Sequence, residues 1–263
     1  MKNKYTIYIP SKKRSNNCKT AIELQKDNIN FKIVVEKNDY KDYLKFYNKK
    51  NIIVLDKENQ GLAYARQFIK KYSSNKKELY HWQMDDDLSF LKRKNNKNIK
   101  CPALYNIRKI EKYVQKYKNI GIASMRNSVF AFSIKPKYSI NRQCCTCFLI
   151  NNKCKAKFRK NIIEDTDFNM QVLVKGWCTI VFNRLLFNNP PVAKNKGGCT
   201  ENQYGSIQTT LQKNLIKQWP KCFELKLNEK DGQTKIKPSQ IWRKFPQTLL
   251  KNNEKNNIIE LKL

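Results

Sequence analysis

The chain has 263 residues, with 54 Lys and Arg against 21 Asp and Glu, a formal net charge of +33. That length suits one large domain, or one domain with an appendage. A composition 40% hydrophobic and 11% aromatic can build a core, which excludes wholesale disorder. No apolar run approaches the ~18–20 residues of a bilayer span, and the lysine-bearing amino terminus has no hydrophobic signal segment, so neither anchor nor secretory leader is expected.

In chain order, the first ninety residues alternate strand and helix. Tyr5–Ile9 is an apolar strand ended by Pro10-Ser11, and Cys18–Asp27 has helical spacing through Ala21, Ile22 and Leu24. Phe31–Val35 is the next strand and Tyr40–Tyr47 a short helix. Asn51–Leu55 is a third strand, Gly61–Tyr72 a helix, and Leu79–Met84 a fourth strand running into Asp85-Asp86-Asp87. Such alternation predicts parallel βαβ units, whose ligands sit at the carboxyl ends of the strands. Pro10, Glu36, Asn59 and Asp85 all follow strand ends and are expected on one rim.

Lys92–Lys100 is basic and apolar-poor and reads as a mobile loop, followed by a helix near Tyr105–Lys118. Ile120–Met125, Ala131–Ile134 and Cys144–Ile150 read as strands, Asp165–Lys175 as a helix capped by Gly176, and Trp177–Phe182 as a strand. A loop at Pro190–Thr200 and a helix at Tyr204–Gln218 follow. Cys222–Leu227 and Thr234–Ile236 flank the hairpin-type turn Asp231-Gly232, and beyond Trp242 the chain is basic and weakly patterned. There is no internal repeat. The nine cysteines, four of them at Cys144, Cys145, Cys147 and Cys154 and far in sequence from His81, the only histidine, read as reduced thiols rather than a zinc site.

Five short stretches carry candidate chemistry. Three adjacent carboxylates, Asp85, Asp86 and Asp87, repel one another at a strand end. A divalent cation relieves that repulsion, and hard oxygens at i and i+2 suit Mg²⁺ or Mn²⁺ completed by phosphate oxygens. Taken alone, the triplet also reads as a solvated acidic turn. Asn59-Gln60-Gly61 leads into a helix whose free amides suit an anion, with Arg66 one turn further on. Ser11 and Arg14 follow the first strand, and Glu36 follows the second, where a carboxylate suits the imide N–H of a uracil. Glu164, Asp165 and Asp167 read either as helix-capping acids or as a general base that takes a proton from an acceptor hydroxyl. Lys194 and Lys196 with Gly197 and Gly198 form a loop able to fold over a diphosphate.

The order of these stretches resembles a GT-A glycosyltransferase, and more closely the TET-associated glycosyltransferase family, found in phages and elsewhere. Ile9–Arg14, Val34–Glu36, Asn59–Arg66, Gln83–Leu88, Glu164–Asn169 and Lys196–Gly198 carry the resemblance. It implies an α/β, Rossmann-like GT-A fold, with a mostly parallel central sheet, helices on both faces and a C-terminal hairpin and basic tail. Residues 1–245 would form the catalytic domain, with a nucleotide-sugar half at 1–90 and an acceptor half at 101–245; residues 246–263 would be the tail.

The same resemblance implies metal-dependent transfer, of inverting outcome, of a hexosyl or N-acetylhexosaminyl group from a nucleotide sugar, with a UDP-sugar favoured. The acceptor it implies is a hydroxymethylated pyrimidine in DNA. Asp85 and Asp87 would hold Mn²⁺ or Mg²⁺. Pro10, Ser11, Arg14, Glu36, Asn59, Gly61, Arg66, Asp85, Asp86, Lys196, Gly197 and Gly198 would bind the donor. Asp165 would be the base, with Glu164 and Asp167 as rivals. Phe130, Tyr138 and Trp177 are candidates to stack on a base, or else core residues.

A cytoplasmic location is implied, that of the host if the chain is phage-encoded. Part of the charge excess is Lys in a chain also rich in Asn and Ile, which A/T-rich codons favour. The remainder suits a polyanionic acceptor, with the basic stretches at Lys92–Lys100, Lys153–Lys160 and the tail along its backbone. Two other readings stay open: a cytosolic GT-A enzyme acting on a glycan or protein, and a non-catalytic basic nucleic-acid-binding protein.

Overall fold

Hydrophobic alternation in the first strands decides which face each helix covers. In β1 (Ile7–Pro10), Ile7 and Ile9 point to one side and Tyr8 to the other. Ile7 and Ile9 pack with Ala21 and Leu24 of α1 (Lys19–Lys26) and with Ile107 and Ile110 of α4 (Ala103–Val114). Tyr8 instead joins Ala65 and Ile69 of α3 (Leu62–Asn75). Helices therefore lie on both faces of the sheet. These relations come from a computed structural model that describes residues 3–132, 135–190, 206–227, 234–238, 245, 248–255 and 257–260.

The remaining elements are β2 (Phe31–Val35), α2 (Tyr40–Leu44), β3 (Ile52–Val54), β4 (Tyr80–Met84), β5 (Ser89–Lys94), β6 (Lys97–Lys100), β7 (Ile120–Asn127), β8 (Tyr138–Ile140), β9 (Cys147–Asn151), α5 (Glu164–Val174), β10 (Cys178–Asn188), α6 (Ser206–Gln218), β11 (Phe223–Leu227) and β12 (Thr234–Pro238). Ten strands form one sheet in the order β3-β2-β1-β4-β9-β7-β10-β5-β6, with β8 also paired to β10. β3, β2, β1 and β4 are parallel; β9 runs against β4 and β7, and β7 is parallel to β10. Seven of the ten strands thus point the same way, and β5, β8 and β9 oppose them. The architecture is α/β, as expected, with β11 and β12 forming a separate antiparallel pair.

Two expected elements are different. Lys92–Lys100 is not a loop: β5 and β6 make an antiparallel hairpin at the sheet edge, with Leu91 opposite Lys100 and Lys94 opposite Lys97. Its lysines hid the strand pattern, because an edge strand with an open face buries few side chains. Ala131 and Phe132, the start of the expected strand Ala131–Ile134, are not strand either. Ser128–Phe130 is a single 3-10 turn, capped by Asn127 Oδ1, which accepts from the Val129 N–H, and residues 133–134 lie outside the described residues.

Two features close the end of the sheet opposite the carboxyl rim. Glu111 of α4 accepts from the backbone N–H groups of Lys4 and Tyr5 and from the Trp82 indole, tying β1, β4 and α4 together. Residues 248–252 run back along 116–119: Lys118 N donates to Leu250 O, and Leu250 N to Asn119 Oδ1. This part of the tail therefore lies at the amino end of β7, away from the rim. Gly176, at φ +76, ends α5 under it; a Cβ there would meet the Ile259 carbonyl at 2.0 Å. No helix among the described residues is long and apolar enough to cross a membrane.

Candidate active site

Because β1, β2, β3 and β4 are parallel and in register (Pro10 beside Val34, Val35 beside Val54, Tyr8 beside Gln83), their carboxyl ends form one rim. The Asp85–Asp87 loop on that rim is fixed through its backbone. Thr20, in the first turn of α1, donates its N–H to Asp86 O (3.1 Å) and its hydroxyl to Asp85 O (2.5 Å), and accepts the Leu88 N–H (2.9 Å). Asp85 N donates to Thr146 O (2.9 Å), just ahead of β9.

With the backbone held, the three carboxylates diverge. Asp86 turns inward, where Arg14 Nη1 (2.5 Å) and the Ser11 hydroxyl (2.5 Å) hold it, and burial raises its pKa against the pull of Arg14. Asp87 lies 3.5 Å from the same Arg14 nitrogen. Asp85 accepts from Arg66 Nη2 at 2.8 Å. Its side chain is 30% exposed, with the protein packed closely around the rest of it. That desolvation pushes its pKa up to about 6; Arg66 opposes the shift, and Asp87, Asp86 and Asp165 add to it.

Arg66 brings the second acidic stretch to the first. It is only 2% exposed, lies over the Phe148 ring at 4.8 Å, and places Nε 3.5 Å from Glu164 Oε1. Burial, then the charge of Asp165, pushes the Glu164 pKa up to about 7. Asp165 is raised too, chiefly by burial, while Oδ1 accepts from the Thr166 N–H at 2.6 Å. Asp167 does not join them. It is fully buried and receives the Arg159 guanidinium through two nitrogens, the Gln171 amide (2.7 Å) and the Trp219 indole (2.8 Å). Three acids within four residues are thus sorted by the helical turn into two at the rim and one in the interior.

The side of the rim formed by β2 and the start of α3 is closely bonded within the protein. Glu36, nearly buried, accepts from Asn59 N at Oε1 (2.8 Å) and pairs with Lys12 Nζ at Oε2 (2.8 Å); Lys12 also donates to Asn59 Oδ1. Any further partner of Glu36 would compete with Lys12. Gly61, at φ +79, turns the chain into α3, and a Cβ there would meet nothing within 4 Å, so conformation rather than space calls for glycine. No side chain caps α3 and no acid lies in its first turn, which leaves its N-terminus suited to an anion. Lys160 donates to Gln60 beside it. Lys194, Lys196, Gly197 and Gly198 lie outside the described residues.

Among the described residues no three His, Cys, Asp or Glu side chains group to hold a metal ion. Asp85 and Asp87, each facing an arginine, offer hard carboxylate oxygens, a donor chemistry that would suit a cation whose remaining ligands are phosphate oxygens and water. Sequence reasoning missed Thr20, Tyr43 and Thr146. The Tyr43 hydroxyl contacts Ser11 Oγ (2.6 Å) and accepts the Arg14 N–H (3.2 Å). Only Thr20, as a hydroxyl at a helix start, carried a local signal. Of the stacking candidates, Trp177 packs beside Gly121 at the amino end of β7 and Tyr138 packs with Tyr113 and Phe182, whereas Phe130 is exposed at the rim.

No curated protein matches this chain in sequence. Among solved structures it is similar to GalNAc-T7 crystallised with UDP, GalNAc and Mn²⁺ (10% identity, TM-score 0.46), over 75% of this chain and 47% of that one. It is also similar to the apo form of the glycosyltransferase GlyE of Streptococcus pneumoniae TIGR4 (14% identity, TM-score 0.37), over 67% and 44%. The chain thus spans about half the length of each. Residues 5–198, which hold the paired Arg14 and Arg66 and both acidic stretches, match the TET-associated glycosyltransferase family, and the chain belongs to that family of glycosyltransferases.

Proposed function

We propose that the protein transfers a sugar from a UDP-sugar to the hydroxymethyl group of a modified pyrimidine in DNA, with inversion and with a divalent cation. The observation that carries this reading is the single rim where Arg66 pairs with both Asp85 and Glu164 while Arg14 binds Asp86. Asp85 and Asp87 would hold Mn²⁺ or Mg²⁺, which when bound supplies positive charge against the departing diphosphate. Ser11, Arg14 and the start of α3 orient the donor, and Glu36 exchanges Lys12 for the uracil imide N–H. Asp165 takes the acceptor hydroxyl proton as that oxygen bonds to the anomeric carbon and the bond from that carbon to the diphosphate breaks, releasing UDP. Glu164 stays paired to Arg66 and Asp167 holds α5 in place. The charge of +33 supports a polyanionic acceptor.

The test is a screen of nucleotide sugars with Mn²⁺ against hydroxymethyl-pyrimidine DNA, read by intact mass. A mass increase of one sugar per modified base is expected; UDP-sugar hydrolysis without any gain on DNA would overturn the acceptor. Asp165→Asn is expected to lower kcat about 10²–10⁴-fold with UDP affinity unchanged. If Glu164→Gln has that effect and Asp165→Asn does not, the base is misassigned.

A further inference from the structure

The basic residues are unevenly spread. Between Leu88 and Ile163 there are nineteen Lys and Arg and one acid, Glu111, which is buried under Lys4, Tyr5 and Trp82. The surface of this segment is therefore almost purely cationic. Within it the turn after β7 stands out. Val129 is 59%, Phe130 64% and Phe132 69% exposed, an apolar exposure that folding alone disfavours.

The turn is held firmly in that state. Ser128 Oγ donates to Asn188 Oδ1 and Asn127 Nδ2 to Asn189 Oδ1, while Asn98 of β6 donates to Ser128 O. Arg93 of β5 lies over the Phe132 ring at 5.3 Å and donates to Phe132 O and Asn98 Oδ1. Exposed aromatic rings on a held turn, one of them beside the Arg93 guanidinium, fit a chain of stackable bases joined by phosphates.

Its height on the sheet suits the reaction. Ser124 of β7 is level with Phe148, and Phe148 with Gln83 of β4, so the turn after β7 and the Asp85–Asp87 loop after β4 leave the sheet at the same end. The turn is two strand positions from β4, about 10 Å sideways. We infer that the Ser128–Phe132 turn and the β5–β6 hairpin form the docking surface for an unpaired stretch of the DNA acceptor, with bases stacked on Phe130 and Phe132 and phosphates on Arg93 and its neighbouring lysines. This rests on the DNA-acceptor reading above and adds where, and in what state, the strand binds.

The experiment compares the full chain with Phe130→Ala/Phe132→Ala and with Arg93→Ala. Fluorescence anisotropy is read with a labelled oligo(dT) strand and with a duplex of equal length across a salt series. The aromatic double variant is expected to bind the single strand at least tenfold more weakly with an unchanged salt slope, and Arg93→Ala to reduce the slope by about one. Single-strand affinity equal to wild type in the double variant would overturn the inference. So would a wild type that prefers the duplex, or sedimentation showing that the two phenylalanines hold a dimer instead. Strand binding through this surface without sugar transfer to DNA would leave the surface standing and refute the acceptor. Transfer at wild-type kcat/KM by the double variant would do the reverse.

Discussion

Residues 1–87 and residues 88–163 carry the same number of Lys and Arg, nineteen each, but eleven acids in the first region and one in the second. In the first region the cations at the rim are paired internally: Arg14 on Asp86, Arg66 on Asp85, Lys12 on Glu36. In the second, Arg93 lies over an aromatic ring, as do Lys92 and Lys109 on Tyr105, with no carboxylate beside them. Charge serves two purposes in one sheet. Paired inside the parallel half it holds a rim in shape; around Arg93 on the mixed half it would offer a face to the polyanionic acceptor proposed above. Substitutions of the paired rim cations should therefore cost activity and stability together, and those of Arg93, Phe130 and Phe132 should cost binding alone.

The comparison breaks most sharply at the acidic triplet. Asp85→Asn with Asp87→Asn is expected to reduce sugar transfer by at least about 10³-fold, measured as product mass over time; transfer that persists in the double variant would remove the metal assignment. Arg66→Met leaves Asp85 and Glu164 facing each other without a cation and should lower unfolding free energy by about 3 kcal/mol, read from urea midpoints. The lower end of the range for a broken buried pair applies because Asp85 is partly open to solvent.

Behind the rim, His81 offers a pH test. It is fully buried, and burial lowers its pKa to about 3 from 6.5. The Gln83 amide donates to Nε2, which assigns the Nδ1 proton to the Ser73 hydroxyl. Between pH 6.5 and 3 the unfolded state binds the extra proton, so this contribution is complete above pH 6.5 and is lost as pH falls. At pH 5 the loss is about 2 kcal/mol, at roughly 1.4 kcal/mol per pH unit. His81→Gln should flatten the stability difference between pH 7 and pH 5 by that amount; identical pH slopes in both proteins would refute the neutral imidazole.

Smaller effects sharpen the contrast. Tyr43→Phe removes the hydroxyl that joins Ser11 to the Arg14 backbone and should cost about 1 kcal/mol, with weaker UDP binding by calorimetry. Phe130→Ala/Phe132→Ala should change stability by no more than about 0.5 kcal/mol. A larger loss would mean that the turn supports the fold, and the division between the two regions would fail.

Local pattern alone determined a good deal of this protein. Alternating apolar strands and 3.6-residue helices placed the first four strands, α3, α4 and α5 within a few residues, and parallel βαβ logic put Pro10, Glu36, Asn59 and Asp85 on one rim. The β5–β6 hairpin was illegible because its open face let lysines stand where a buried strand shows alternation. Tertiary structure also decided the meaning of the acids. Asp85 and Glu164 are 79 positions apart, and only the packing of α3 against Phe148 of β9 sets Arg66 between them. Asp167 sits two residues from Asp165, yet the turn of α5 sends it inward to Arg159 and Trp219. Spacing along a chain tells which residue types are available. Which of them share a field depends on distance and burial, and the fold sets both.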